Sequence, residues 1–156
     1  MKLGKPTKNF RRPSDKFLAR TRPEILVPPL EGPVNIYLDD DRPVPEGWTV
    51  ARTSDVFFGF LEETKDIAAR VEHLSLDGFL GPRDLDGISV ITMLVTKFQL
   101  NPTFMPKLKI IGLHNINRAV SKQMDHILAT RIPEARRNTF YTIWGTPQLP
   151  EQLLIQ

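Results

Sequence analysis

Three acids and an arginine follow an apolar run in IYLDDDRP, residues 36–43. Acids are poor strand residues. Asp39, Asp40 and Asp41 therefore either end a strand in water or converge on something positive. Two more reactive groups stand in the same kind of place. Asp77 follows VEHLSL, and His114, with Asn115 and Asn117 close behind, follows LKIIGL. Carboxylates brought together repel unless a cation or a proton separates them. Their oxygens suit Mg²⁺, which takes one or two of them with waters and a phosphate oxygen. Arg42 would bring charge for a phosphate, His114 an acid or base near neutrality, and Asn117 a donor. These are parts for phosphate chemistry. Each alone also has an ordinary reading: solvated loop acids, a turn-forming Asp77, a structural histidine. Their joint position behind three strands favours the chemical reading. His73 lies inside a strand pattern and His126 inside a helix pattern, so neither is taken as catalytic. Trp48 and Trp144 are expected to pack in the core or at an edge.

The elements that must position these groups alternate in type. Strands are predicted at VNIYL (34–38), WTVART (48–53), VEHLSL (71–76), LKIIGL (108–113) and NTFYTIW (138–144). A helix capped by Ser54 is predicted to about Arg70, with Phe57, Phe60, Leu61 and Ile67 on one face. A second runs from Gly87 to about Gln99, capped by Asp86, with Ile88, Ile91, Met93, Leu94, Val95 and Phe98 apolar. A third, capped by Asn117, reaches about Ala129, with Val120, Met124, Ile127 and Leu128 inward. Alternating strands and helices predict an α/β domain with a mainly parallel five-stranded sheet. Ligands of such sheets bind outside the carboxyl ends of the strands. The first two strands are joined by about nine residues, too few for a full crossover helix.

Composition narrows the setting. The chain has 156 residues, 40% of them apolar, enough for one cored domain. It has no cysteine, which excludes disulfides, thiolate metal sites and cysteine nucleophiles. No run reaches the roughly 18 apolar residues that span a membrane, and no apolar stretch follows the basic N-terminus. The expected location is cytoplasmic. The net charge of +3 is uneven: residues 1–33 carry eight Lys or Arg against three acids, the remainder thirteen against fifteen. Residues 1–33 are also proline-rich and aperiodic. They read as a basic arm, laid along the domain through Ile25, Leu26 and Val27, before a domain at 34–156. Lys2, Lys5, Lys8, Arg11 and Arg12 are its candidate nucleic-acid contacts, the bland reading being a solubilising tail.

The same residues carry a resemblance. An acidic pair after the first strand and an Asp after the third is the layout of response-regulator receiver domains. A closer match is the cyclic-phosphate processing receiver family. Its members look like LFLDDERP, then GW and an ART-like segment, then SLDHDLG, then a strand ending in H-S-x-N. Here the pieces are IYLDDDRP, EGWTVART, LSLDGFLG and GLHNIN. The resemblance covers roughly Val34 to Leu128 and implies a flavodoxin-like three-layer sandwich whose first helix is missing or reduced. It also implies Mg²⁺, or Mn²⁺, held by Asp39, Asp40 and Asp77. Arg42 and Asn117 would meet phosphate, and His114 and Asp77 would be catalytic. The chain departs from the pattern at Gly78 and Phe79, where the family has His and Asp, and at Asn115, where Ser is usual. No lysine ends the fifth strand, so the phosphorylation switch of ordinary receivers is not expected.

Two functions of different class follow. One is a metal-dependent phosphoesterase acting on a cyclic phosphate, for instance at an RNA end held by the basic arm. The other is an inactive receiver-like module that binds a protein or nucleic acid, for example a phage or mobile-element protein acting on host machinery. Gly78 and Phe79 favour the second, so the sequence leaves open whether the chain is an enzyme. A phosphoaspartyl enzyme using the Asp39-x-Asp41 pair, with Lys107 or Lys109, is a weaker third reading.

Overall fold

The computed structural model describes residues 23–63, 65–114 and 117–150. The candidate arm contacts Lys2, Lys5, Lys8, Arg11 and Arg12, together with Asn115, lie outside the described residues. The chain order is β1 (Val34–Leu38), β2 (Thr49–Ala51), α1 (Ser54–Glu63), α2 (Lys65–Arg70), β3 (Val71–Leu76), α3 (Gly87–Leu100), β4 (Ile110–Leu113), α4 (Arg118–Arg131), a 3₁₀ turn (Glu134–Arg136) and β5 (Tyr141–Trp144). The five strands form one parallel sheet in the order β2-β1-β3-β4-β5. β1 and β2 are parallel neighbours joined by a loop alone, as the short connection predicted. Among the described residues, no helix is long and apolar enough to cross a membrane.

Local chemistry explains most boundaries. Asp86 caps α3 by accepting from Ser89 N at 2.7 Å. Asn117 caps α4 by accepting from Ala119 N and Val120 N. Side-chain oxygens there replace helical acceptors that the first amides lack. The helix expected from Ser54 to Arg70 is instead two helices, α1 and α2. Its first turn is capped by Thr53, whose hydroxyl accepts from Val56 N at 3.1 Å, while the Ser54 hydroxyl donates to Asp84. The buried stripe of α3 is Val90, Ile91, Leu94, Val95 and Phe98. Val90, Leu94 and Phe98 are four apart, and so are Ile91 and Val95. Met93 falls off that stripe and is 40% exposed.

The two faces of the sheet are covered differently. Val34, Ile36, Leu38, Leu74, Leu76, Ile111 and Leu113 face a core to which all four helices contribute. The opposite face carries Tyr37 and Val50, packed with Trp48 and Leu149. Among the described residues no helix contributes to this second cluster. Its cover is the 43–48 loop and the segment after β5. The preceding segment touches the sheet at Ile25, which bridges Thr49 and accepts from Val50 N at 2.8 Å, while Leu26 and Val27 are exposed.

The segment after β5 turns back over β4 at Gly112. A Cβ there would overlap the Gly145 carbonyl oxygen and come within 2.5 Å of Pro147 Cδ. Only glycine lets the crossing lie so close. Gly112→Ala is therefore expected to lift residues 145–149 from the sheet and to cost roughly 1–3 kcal/mol, the usual scale of overpacking. Urea denaturation of the two proteins measures it; equal midpoints would show that the crossing is loose.

Candidate functional site

Sheet register builds the site. Ala51, Leu38, Leu76, Leu113 and Trp144 lie side by side across the five strands. One residue further along, the ladder continues: Asp39 N donates to Ala51 O, Asp77 N to Leu38 O, His114 N to Leu76 O and Gly145 N to Leu113 O. Arg52, Asp39, Asp77, His114 and Gly145 thus form the next row. Side chains alternate between faces along a strand. Leu38, Leu76 and Leu113 point to the helical core, so the candidate residues Asp39, Asp77 and His114 turn to the other face, beside Tyr37 and Ser75.

Asp39 is the hub. It is fully buried, yet its carboxylate has partners on every side. Oδ1 accepts from the amides of Asp41 at 2.9 Å and Arg42 at 2.8 Å, a turn built on its own side chain. Oδ2 meets His114 Nε2 at 2.9 Å and Arg42 Nε at 3.8 Å. Burial alone would raise its pKa. The bonds from His114 and from the Arg42 and Asp41 amides outweigh it and hold the carboxyl at about 2, below the ordinary 3.8. Arg42 also donates to the His114 carbonyl at 3.0 Å. Arg52 clasps the turn from below, donating to the carbonyls of Asp39 at 3.2 Å and Arg42 at 2.8 Å, and pairs with Glu24 of the arm.

His114 is held on its other edge too. Nδ1 meets Ser75 Oγ at 2.6 Å, and Ser75 meets Thr146 Oγ1 at 3.1 Å. Its ring stacks on Tyr37 with centroids 4.4 Å apart and planes 4° from parallel. Burial and the Asp39 charge push the Tyr37 hydroxyl up to about 12, against the opposing pull of Arg42 and a bond to Thr146. Ser75 sits fully buried, and its hydroxyl helps fix the imidazole plane. Sequence reasoning missed Ser75, Tyr37, Arg52 and Thr146. The period-two alternation of IYLD and LSLD put Tyr37 with Asp39 and Ser75 with Asp77, a usable signal; nothing local marked Arg52 or Thr146.

Asp77 is 6% exposed and has few partners. Phe79 N approaches its Oδ1 at 3.4 Å. Burial and the neighbouring Asp39 charge raise its pKa, outweighing His114, the Phe79 amide and Arg42. The loop behind it is tight: a Cβ on Gly87 would come within 2.6 Å of Gly78 Cα and 2.8 Å of the Asp77 carbonyl. Asp39, Asp77 and His114 each offer a ligand atom, all within 4.8 Å of one another. Two carboxylates and an imidazole, with one carboxylate strained by the charge of the other, are a donor set that suits a divalent cation. Asp40 and Asp41 are exposed and stand outside this buried group. With Arg42, Asn117 and Phe79 they line the cleft that opens above Asp39 and Asp77, about 510 Å³ in volume. Asp39, Asp40, Arg42, Asp77, His114 and Asn117 therefore share one location, with His114 behind the cleft and Asp40 at its wall.

A family model described as the cyclic-phosphate processing receiver domain matches residues 34–130. The chain belongs to this family. No curated protein and no solved structure matches it significantly. Asp39, Arg42, Ser75, Asp77, His114 and Asn117 fall inside the part shared with other cyclic-phosphate processing receivers. Glu24 and Thr146 fall outside it, so segments on both sides of the family region buttress the site.

The two acids carry opposite pH dependence. Asp39, held low, contributes stability that is fully present above its ordinary 3.8 and is lost as pH falls toward about 2. Asp77, held high, weakens the fold as pH rises through the carboxylate range. Asp77→Asn is expected to raise the melting temperature at pH 7 without divalent cation, by a few degrees for about 1 kcal/mol. The gain should shrink to nothing below about pH 4. A lower melting temperature at pH 7 would mean that the ionised Asp77 is stabilised by His114, Arg42 and the Phe79 amide more than burial and Asp39 oppose it.

The tail's hold on His114 is tested separately. Thr146→Val should shift the ring-nitrogen NMR signals of His114 with little change in the fold, and Thr146→Ser should restore them. Unchanged signals in Thr146→Val would show that Ser75 alone orients the ring.

Proposed function

We propose that this protein is a divalent-metal-dependent phosphoesterase that opens a cyclic phosphate, with RNA ends as the natural source. The observation that carries the reading is the buried meeting of Asp39, Asp77 and His114 beneath a cleft that also holds Arg42. Two acids placed against each other out of water are costly, and a fold keeps them where a cation repays the cost. Asp39 and Asp77 would hold Mg²⁺ or Mn²⁺, with Asp40 reaching the metal's waters from the wall. When bound, the metal would supply charge for a phosphate oxygen and activate a water. Arg42, whose side chain is 37% exposed, is tied to Asp39 yet open to the cleft, and would meet a second phosphate oxygen. Asn117 would orient the phosphate from the start of α4.

The reaction is hydrolysis. Water attacks phosphorus, one ester bond of the ring breaks, and the freed oxygen takes a proton, leaving a monoester and a hydroxyl. His114 has two roles open to it. Its Nε2 faces Asp39 and is 6% exposed as a residue, which favours holding the metal over delivering protons. An imidazole ligand would tilt the site toward Mn²⁺ over Mg²⁺. Basic residues of 1–33 would add salt-sensitive affinity for RNA.

A partner-binding module is the second reading, favoured by Tyr141 and Trp144, exposed on the edge strand β5. Calorimetry with Mn²⁺ and Mg²⁺, followed by assays on 2′,3′-cyclic nucleotides, separates the two. Wild type should bind metal and turn over. Asp77→Asn should lose binding and at least about 100-fold in turnover, the scale on which site electrostatics act. Metal-free, inactive wild-type protein would overturn the enzyme reading and leave the module.

A further inference from the structure

We infer that Phe79 is a stacking platform for the base of a nucleotide, so that the cleft selects nucleoside phosphates over phosphate esters in general. The inference rests on the phosphate reading above and adds the substrate class. Among the described residues, Phe79 is the one aromatic side chain lining a cleft otherwise walled by Asp39, Asp40, Asp41, Arg42, Asp77 and Asn117. It is 60% exposed. A lone exposed apolar residue is ordinary on a protein surface, but this one has a fixed backbone and a charged neighbourhood. Its N–H points to Asp77 Oδ1, and its backbone bridges Asp86 at the cap of α3. The glycine contact between Gly78 and Gly87 holds the same turn from behind. The ring is therefore presented from a braced turn, and little order is lost when something lies against it.

What fits such a wall follows from its chemistry. The acids repel an anion except where a cation or Arg42 offsets them, so phosphate goes to the Arg42 and Asp77 end. The ring offers a flat apolar face and no hydrogen bond. A ligand that satisfies both carries a phosphate and a flat unsaturated ring. A nucleotide is that ligand, and a volume of about 510 Å³ falls in the range of small-molecule sites. Stacking on an aromatic side chain tolerates every base, so selection would be for a base, not for a sequence. Trp144, half exposed at the end of β5, is not among the residues lining this cleft.

The test compares two probes with the same phosphorylated sugar, AMP and ribose 5-phosphate, by calorimetry in MnCl₂ on the full chain. Wild type should bind AMP about tenfold more tightly. Phe79→Ala should bring AMP down to the level of ribose 5-phosphate and leave the latter unchanged. Phe79→Trp should restore the preference. Equal binding of both probes by wild type, or an AMP preference that survives Phe79→Ala, overturns the platform and leaves the phosphate site standing. Failure of both probes to bind wild type overturns the phosphate reading itself, and the platform with it.

Discussion

Everything at this site depends on the register of a parallel sheet. Leu38, Leu76 and Leu113 are placed side by side by backbone hydrogen bonds and pinned there by the helical core. The next residue of each strand then has no choice of face. A slip of one residue in β3 would send Asp77 into the hydrophobic core and Leu76 to the site, exchanging a buried hydrocarbon for a buried charge. The apolar row thus protects the polar row. This is why three groups far apart in the chain can bring side-chain atoms within 4.8 Å of one another without any loop to carry them.

The polar row has its own division of labour. Asp39 is saturated with donors and stays ionised, giving the turn at 39–42 its shape. Asp77 lies beside it with few donors and the penalty of that neighbour. The pair is one satisfied acid and one frustrated acid, a contrast that a structural network alone does not need. His114 stands between a carboxylate and a hydroxyl, its plane locked by Tyr37. A group so thoroughly oriented is suited to holding something fixed, and less to moving protons through open solvent.

The cover over the second sheet face links site and periphery. No described helix contributes to the second cluster, and the segment after β5 supplies part of the cover, crossing at Gly112 to bring Thr146 onto Ser75 and Leu149 onto Trp48. Arg52 links the Asp39 turn to Glu24 on the opposite edge. The receiver-like region of 34–130 therefore leans on both flanks. Change in either flank would reach the imidazole and the carboxylate through two or three contacts.

Much of this was legible in residue types. The alternation of strands and helices, the short link after β1, the caps Asp86 and Asn117, and the strand-end positions of Asp39, Asp77 and His114 all follow from local patterns, because propensity, capping and period act over a few residues. Of the two tryptophans expected in the core or at an edge, Trp48 is buried and Trp144 is half exposed on the edge strand β5. What only the tertiary structure decided is which of the acids are buried. Asp39, Asp40 and Asp41 are alike as residues, and the sheet row takes Asp39 alone, leaving the other two at the cleft wall. The partnership of Ser75 and Thr146, the clasp of Arg52 and the exposure of Phe79 also arise from chain crossings many residues apart. Sequence determined the chemistry that was available; long-range register and packing determined which atoms could meet, since burial and distance are properties of the folded sheet and not of any residue within it.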